Sequence, residues 1–97
     1  MKISVICPIF NSGIYLQRTI NSLLNQTMTP YEIIFSDDGS IDNSIEIIKR
    51  NFKSFQKKNI KINLLLNKHS GPGKNRNIAM SNDTGDWNAF LESDDTW

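Results

Sequence analysis

Residues 3–11, ISVICPIFN, form a short run rich in β-branched residues that ends in a polar turn. Residues 31–40, YEIIFSDDGS, repeat this arrangement. Such runs are typical of buried strands, and we expect the first strand to stop at Pro8. Between the two runs, one helical face is marked at i, i+4, i+7 and i+8 by Leu16, Ile20, Leu23 and Leu24. Residues 3–40 therefore predict strand, helix, strand.

The same alternation continues to the end of the chain. Apolar spacing predicts helix, strand, helix and strand in turn over residues 41–55, 60–66, 74–82 and 87–91. Ser40 or Asp42 suits the N-terminal cap of the first of these helices, and Gly85 suits the end of the second. The order β-α-β-α-β-α-β predicts an α/β, Rossmann-like fold: a mostly parallel sheet with right-handed crossovers and helices on both faces.

Length and composition limit the classes of protein that the chain can represent. Its 97 residues are enough for one domain, and 38% hydrophobic with 22% charged residues is an ordinary globular composition. A net charge of +1 gives no support to a nucleic-acid-binding surface. The single cysteine, Cys7, excludes an internal disulfide, and no apolar stretch approaches the ~20 residues that span a bilayer. We expect a cytoplasmic protein, free or peripheral at the inner face of the membrane, with no transmembrane segment.

Each predicted strand is followed directly by a polar cluster. The four clusters are residues 8–11, 37–40, 67–76 and 92–95. Because the carboxyl ends of parallel strands meet at one edge of a sheet, we expect these clusters to share that edge, where ligands bind in such folds.

The last cluster is the most acidic part of the chain. Glu92, Asp94 and Asp95 place three carboxylates within four positions, an arrangement that repels itself unless a cation or hydrogen-bond donors occupy it. Mg²⁺ and Mn²⁺ prefer such oxygen ligands and complete their coordination with water and phosphates. The alternative is an acidic turn that faces water.

The other clusters also admit a functional and a structural interpretation. Asp37 and Asp38 suit either a turn before a helix or a carboxylate that accepts from a nucleoside. The glycines at positions 71 and 73 lie among four residues that could donate to a phosphate as cations: Lys68, His69, Lys74 and Arg76. The alternative for these residues is a solvated loop.

Three named sites fail against the residues. A Walker A loop requires Gly and Ser or Thr where the chain has Lys68 and Asn75. A calcium loop that starts at Asp37 or Asp38 lacks the glycine and the glutamate at the required offsets. The single histidine, His69, has no Ser or Cys nucleophile paired with it in sequence, so a catalytic triad is not supported.

The combined motifs closely resemble the N-terminal half of family 2 glycosyltransferases of the GT-A fold. Short matching segments in a consistent order cover nearly the whole chain, at residues 3–11, 22–27, 32–40, 71–77, 85–87 and 90–97. The resemblance implies an inverting transfer of a sugar from a nucleoside diphosphate donor to an acceptor hydroxyl, with Mg²⁺ or Mn²⁺ bridging the diphosphate. The acceptor would be a saccharide or another hydroxyl compound.

The resemblance also assigns roles to individual residues. It places in the nucleotide-sugar site Pro8, Phe10, Asn11, Asp37, Asp38, Arg76 and Asp94. Asp94 and Asp95 match the DXD element, with Asp95 the direct metal ligand. Two positions depart from the common pattern: Glu92 stands in place of Asp, and Phe10 in place of Tyr.

The catalytic base and acceptor site of this family follow the DXD element, and only two residues follow Asp95 here. We expect residues 1–97 to be a single nucleotide-sugar-binding domain, truncated after that element, with no assignable catalytic residue and no transfer activity alone. Self-association through exposed sheet edges is a further expectation. The alternatives are a non-catalytic nucleotide-binding module and, more distantly, a receiver-like signalling domain. The base stays open between uridine, guanosine and thymidine.

Overall fold

The computed structural model describes residues 2–82 and 84–91, so the predictions for Glu92, Asp94 and Asp95 lie outside the described residues. The elements, in chain order, are β1 (Ile3–Ile9), α1 (Gly13–Leu24), β2 (Glu32–Asp37), α2 (Ser44–Arg50), α3 (Phe52–Lys57), β3 (Lys61–Leu66), α4 (Pro72–Met80) and β4 (Trp87–Phe90). The predicted alternation of strands and helices is confirmed, with one predicted helix divided into two.

The four strands form one sheet in the order β3-β2-β1-β4, and every neighbouring pair is parallel. In the central register, Ile6 of β1 lies between Ile34 of β2 and Phe90 of β4. Helices cover both faces, with α1, α2 and α3 on one and α4 on the other. The predicted α/β class, a parallel sheet between helices, is therefore confirmed.

The two faces bury very different amounts of apolar surface. Among the described residues, twelve buried side chains form the core under α1, α2 and α3, and Phe35 and Phe55 are its largest. The described core under α4 consists of Ile6, Ile34 and Ala79, with the partly buried Leu65 packed against them. Each fully buried aliphatic or aromatic side chain contributes about 1.5–3 kcal/mol, so most of the stability comes from the first face. The thin second core also explains why the apolar pattern of α4 is weak in the sequence.

The prediction that β1 stops at Pro8 is wrong, because β1 continues through Pro8 to Ile9. The carbonyl of Ile9 accepts from Asp38 at the end of β2, and the carbonyl of Ile6 accepts from Leu91 after β4. Successive residues of β1 direct their backbone N–H and C=O groups alternately toward β2 and toward β4. Since Ile9 faces β2 and Ile6 faces β4, the nitrogen of Pro8 faces β4. The described pairing with β4 ends at Phe90, opposite Ile6, and the missing N–H of Pro8 therefore interrupts no bond of that ladder.

The predicted helix over residues 41–55 is divided at Asn51 into α2 and α3. The side-chain amide of Asn51 donates to the carbonyl of Ile47 at 2.7 Å and to the side chain of Gln17 on α1 at 2.9 Å. Side chains that bond to nearby carbonyls compete with the helical ladder. The prediction of Ser40 or Asp42 as the N-terminal cap is also wrong, since Asn43 takes that position.

Gly85 does not end a helix as predicted, because α4 already ends at Met80. Instead, the backbone N–H of Gly85 donates to the Ser4 hydroxyl at 2.9 Å, and a Cβ atom at Gly85 would collide with that hydroxyl. The glycine therefore permits the close approach that positions the turn before β4.

Glu32 fixes the same contact between β1 and the turn before β4. It is 1% exposed, and its Oε2 atom accepts from the Ser4 hydroxyl at 2.6 Å and from the N–H and hydroxyl of Thr84 at 2.6 and 2.9 Å. Burial alone raises the pKa of Glu32, but the hydrogen bonds from Ser4 and Thr84, with the charge of Lys61, outweigh it and lower the pKa. The ionised carboxylate therefore joins β1, β2 and the turn before β4.

This arrangement predicts a loss of stability in acid. Because folding lowers the pKa of Glu32, its stabilising contribution is present above its ordinary value of 4.5 and is lost as the pH falls through the folded value. Replacing Glu32 with Gln is expected to lower the unfolding free energy at pH 7 by about 2 kcal/mol and to flatten its dependence below pH ~4.5. Urea unfolding at several pH values measures both effects.

The matched control is Glu46→Gln, which removes an exposed carboxylate from α2. It is expected to change the unfolding free energy by less than about 0.5 kcal/mol at every pH. Equal acid dependence in the native chain and in Glu32→Gln would contradict the assignment.

Both edge strands leave apolar surface uncovered by the described residues. β3 and β4 are the outer strands, and on β4 Trp87 is 60% and Phe90 48% exposed. The exposed edge is consistent with the expected self-association, which stays a prediction. No helix in the described ranges has the length and apolar character needed to cross a membrane. The cytoplasmic location also stays a prediction.

Candidate functional site

The carboxyl ends of β1, β2 and β3 bring three of the four predicted polar clusters to one edge of the sheet. Asn11, which follows β1, donates through its N–H to the Ser40 hydroxyl at 2.9 Å. Its side-chain oxygen accepts from the N–H of Ile41 at 2.8 Å. Hydrogen bonds therefore join the first two clusters. The strand order changes direction between β1 and β4, which is where open parallel sheets bind ligands. The fourth cluster lies outside the described residues.

Asp38 anchors the third cluster to the second. Its side chain is fully buried, and Oδ1 accepts from the N–H of Ser70 at 2.7 Å. Oδ2 accepts from the N–H of Gly71 at 3.0 Å and lies 2.8 Å from Nδ1 of His69. A buried carboxylate must be paired in this way, so Asp38 fixes the loop between β3 and α4.

His69 completes this arrangement with an aromatic contact. Its ring stacks on Phe10, with ring centroids 4.5 Å apart and planes 24° apart, while 59% of its side chain is exposed. Because an ionised carboxylate only accepts, the contact with Asp38 assigns the proton to Nδ1. Sequence reasoning treated His69 as one cation of a loop and had no signal for the stacking.

Asp37 builds the turn that carries Asp38. Its carboxylate accepts from the N–H groups of Gly39 at 3.2 Å and Ser40 at 2.9 Å, and from the Ser40 hydroxyl. Gly39 has φ +80°, and a Cβ there would lie 3.0 Å from the backbone nitrogen of His69. Turn and loop therefore approach each other through a glycine that has no room for a side chain.

A buried amide network fixes α4 against the ends of β2 and β3. Asn75 is fully buried, and its Nδ2 donates to the carbonyl of Ser36 at 2.7 Å. Its Oδ1 accepts from the Ser36 hydroxyl at 2.7 Å and from Asn67 at 3.2 Å. The sequence analysis missed this role for Asn75, and its only available signal was a polar residue within a weakly apolar helix.

Arg76 follows Asn75 on α4 and extends toward β4. Its guanidinium carbon lies 5.3 Å from the centre of the Phe90 ring, a cation–π distance. Pro8, Phe10 and Asn11 lie at the end of β1, and Arg76 approaches the neighbouring strand across the switch point. The described site thus combines an aromatic ring, a buried carboxylate and a guanidinium.

The aspartates near the described site are engaged in hydrogen bonds. Asp37, Asp38 and Asp42 all accept hydrogen bonds, and no group of three His, Cys, Asp or Glu side chains within residues 2–82 and 84–91 is placed to hold a metal. Burial alone raises the pKa of Asp42, but hydrogen bonds from Ser44 and Gly13 outweigh it and lower the pKa. The predicted metal ligands, Asp94 and Asp95, lie outside the described residues.

Sequence comparison identifies one family over nearly the whole chain. A model of glycosyl transferase family 2 matches residues 4–97. The poly(ribitol-phosphate) beta-N-acetylglucosaminyltransferase TarS of Staphylococcus aureus is 38% identical over 97 residues, which cover 98% of this chain. The match spans 16% of the length of TarS.

The fold is shared with solved structures, among them the following two. Residues 1–349 of Staphylococcus aureus TarS, in complex with UDP-GlcNAc, superpose with a TM-score of 0.79 at 34% identity, covering 96% of this chain and 26% of that one. The mannosyltransferase PcManGT from Pyrobaculum calidifontis, in complex with GDP-Man and Mn²⁺, gives a TM-score of 0.81 at 18% identity, covering 99% and 28%.

Proposed function

The chain belongs to glycosyl transferase family 2, and from that premise we propose that it forms the nucleotide-sugar-binding part of a glycosyltransferase. The whole enzyme would transfer a sugar from a nucleoside diphosphate donor to an acceptor hydroxyl with inversion at the anomeric carbon. Family membership favours this proposal over a non-catalytic nucleotide-binding module and over a receiver-like domain.

The observation that carries the proposal is that Phe10, at the end of β1, and Asp38, at the end of β2, both contact the ring of His69 at the carboxyl-terminal edge of the sheet. Phe10 offers a flat apolar face on which a base stacks, and Asp38 offers an acceptor for a ring N–H at its edge. Stacking a base on an aromatic side chain contributes about 1–3 kcal/mol. Together, these groups form a subsite for a base that carries a ring N–H.

The remaining residues of the proposed site surround this base subsite. Pro8 and Asn11 line it from the end of β1, and Asp37 supports it by holding the turn that carries Asp38. Arg76, on the β4 side, would neutralise the diphosphate. Asp94 would contact the ribose or the sugar.

We assign Mg²⁺ or Mn²⁺ to Asp95 and Asp94, on the resemblance of residues 92–95 to the DXD element. A divalent cation bound there would offset the negative charge that develops on the departing nucleoside diphosphate. Asp37, Asp38 and Asp42 serve as hydrogen-bond acceptors within the described residues, which favours Asp94 and Asp95 as the metal ligands.

The base subsite predicts which nucleotides bind. Uracil, thymine and guanine carry a ring N–H that Asp38 can accept, whereas the corresponding nitrogen of cytosine is itself an acceptor. We expect at least one of UDP, dTDP and GDP to bind about tenfold or more tighter than CDP, a difference of about 1.4 kcal/mol. Calorimetric titration with these nucleotides and their sugars, with and without Mn²⁺, measures this preference.

The control in this experiment is CDP, which has the same diphosphate and a pyrimidine base similar in size to uracil and thymine. No binding of any of the four nucleotides would contradict the proposal, and equal binding of all four would contradict the role of Asp38. The chain spans 16% of the length of TarS, and we expect it to bind its donor without transferring sugar by itself.

A further inference from the structure

The His69 ring lies where the proposed function places the base. It is a planar heteroaromatic ring stacked on Phe10, with a ring N–H at 2.8 Å from Asp38. These are the two contacts that uracil, thymine or guanine would make. We propose that His69 fills the base subsite in the absence of nucleotide and leaves it when a nucleotide binds. This inference rests on the proposed function and assigns that site an internal competitor.

The space above Phe10 admits one ring at a time. The centroids of Phe10 and His69 are 4.5 Å apart, which is direct stacking contact. A base inserted between them would require about twice that separation. The base and the imidazole therefore exclude each other from this face of Phe10.

The acceptor capacity of Asp38 leads to the same conclusion. Oδ1 receives the N–H of Ser70 and, at 3.4 Å, its hydroxyl, while Oδ2 receives the N–H of Gly71 and the imidazole of His69. A carboxylate accepts about four hydrogen bonds in all. A base therefore reaches Asp38 only when one donor leaves.

His69 is the donor whose departure frees the face of Phe10 as well as an acceptor position on Asp38, whereas loss of the long bond from the Ser70 hydroxyl would leave the imidazole in place. The bonds from Ser70 and Gly71 are made by backbone N–H groups and fix the loop, whereas the imidazole is a side chain that is 59% exposed. Rotation about its side-chain torsions releases both Phe10 and Asp38 without moving the loop. Occupation of the subsite for 90% of the time would weaken the apparent affinity about tenfold.

Replacing His69 with Ala tests the competition. We expect the variant to bind the tightest of UDP, dTDP and GDP about three- to tenfold more strongly than the native chain, because the internal competitor is gone. Lys53→Ala, an exposed change on α3, is the control and should leave the affinity unchanged. An unchanged or weaker affinity in His69→Ala would overturn the inference.

Proton NMR of the native chain gives a second measurement. His69 is the single histidine, so its ring signals need no assignment by mutagenesis. Stacking on Phe10 shifts these signals upfield, and saturation with the bound nucleotide should move them downfield as the ring leaves. Signals that stay in place, or move further upfield under a stacked base, would overturn the inference while the nucleotide proposal stands. If none of the three nucleotides binds either chain, the nucleotide proposal fails and takes this inference with it.

Discussion

Replacing Asp38 with Asn is expected to weaken nucleotide binding at least about tenfold and to lower the unfolding free energy by about 3 kcal/mol. The carboxylate accepts from two backbone N–H groups and an imidazole in a fully buried position. An amide has one acceptor oxygen in place of two. Its NH₂ group only donates, so it cannot accept the hydrogen bonds that the second carboxylate oxygen accepts. The same change removes the acceptor proposed for the base.

Two measurements separate the effects of Asp38→Asn. Chemical denaturation gives the loss of stability, and amide hydrogen exchange should become faster at Ser70 and Gly71, whose N–H groups lose their acceptor. Calorimetry, under conditions where the variant is folded, gives the change in affinity. Asp86→Asn removes an exposed carboxylate that accepts from Lys2 at the opposite end of the sheet, and should change neither quantity appreciably. A folded Asp38→Asn chain with native affinity would contradict the proposed base contact.

Replacing Asn75 with Leu is expected to lower the unfolding free energy by about 3 kcal/mol, although the two side chains are similar in size. Leu would remove the side-chain donor to the Ser36 carbonyl and the Oδ1 acceptor that the Ser36 hydroxyl and the Asn67 amide share. The site of these bonds is fully buried, so water does not replace the lost partners. Because α4 covers a core of three buried residues in the part of the chain that the structure describes, little apolar packing is available there to offset this loss.

The matched control for Asn75→Leu is Asn77→Leu, the same substitution at an exposed position of the same helix. It should change the unfolding free energy by less than about 0.5 kcal/mol. Denaturation of both variants measures the difference. A cost at Asn75 no larger than at Asn77 would show that the amide network does not hold α4.

These two variants distinguish the two ways in which the site is supported. Asp38 fixes the loop between β3 and α4, and Asn75 fixes the helix that follows it. Phe10 and Arg76 depend on this framework for their positions, because one meets the loop and the other belongs to the helix. A substitution at Asp38 or Asn75 is therefore expected to weaken nucleotide binding by displacing Phe10 or Arg76, in addition to any direct contact that it removes.

The predicted elements followed from apolar periodicity because their side chains divide between a buried and an exposed face. Apolar periodicity does not locate element boundaries where a polar side chain decides the local structure. Asn51 divides the second helix through its own amide, and Glu32 joins β1 to the turn before β4 as a buried charge inside an apolar strand. Neither residue differs, in a sequence, from an ordinary solvated polar residue.

The sequence by itself determined the α/β order, the parallel sheet and the edge on which the polar clusters meet, because each depends on local spacing and on rules of chain connection. The tertiary structure alone decided the pairing of Asp38 with the loop at residues 69–71 and the stacking of His69 on Phe10. These contacts join residues 31 to 59 positions apart, and their strength depends on burial and direction, which a linear pattern does not record.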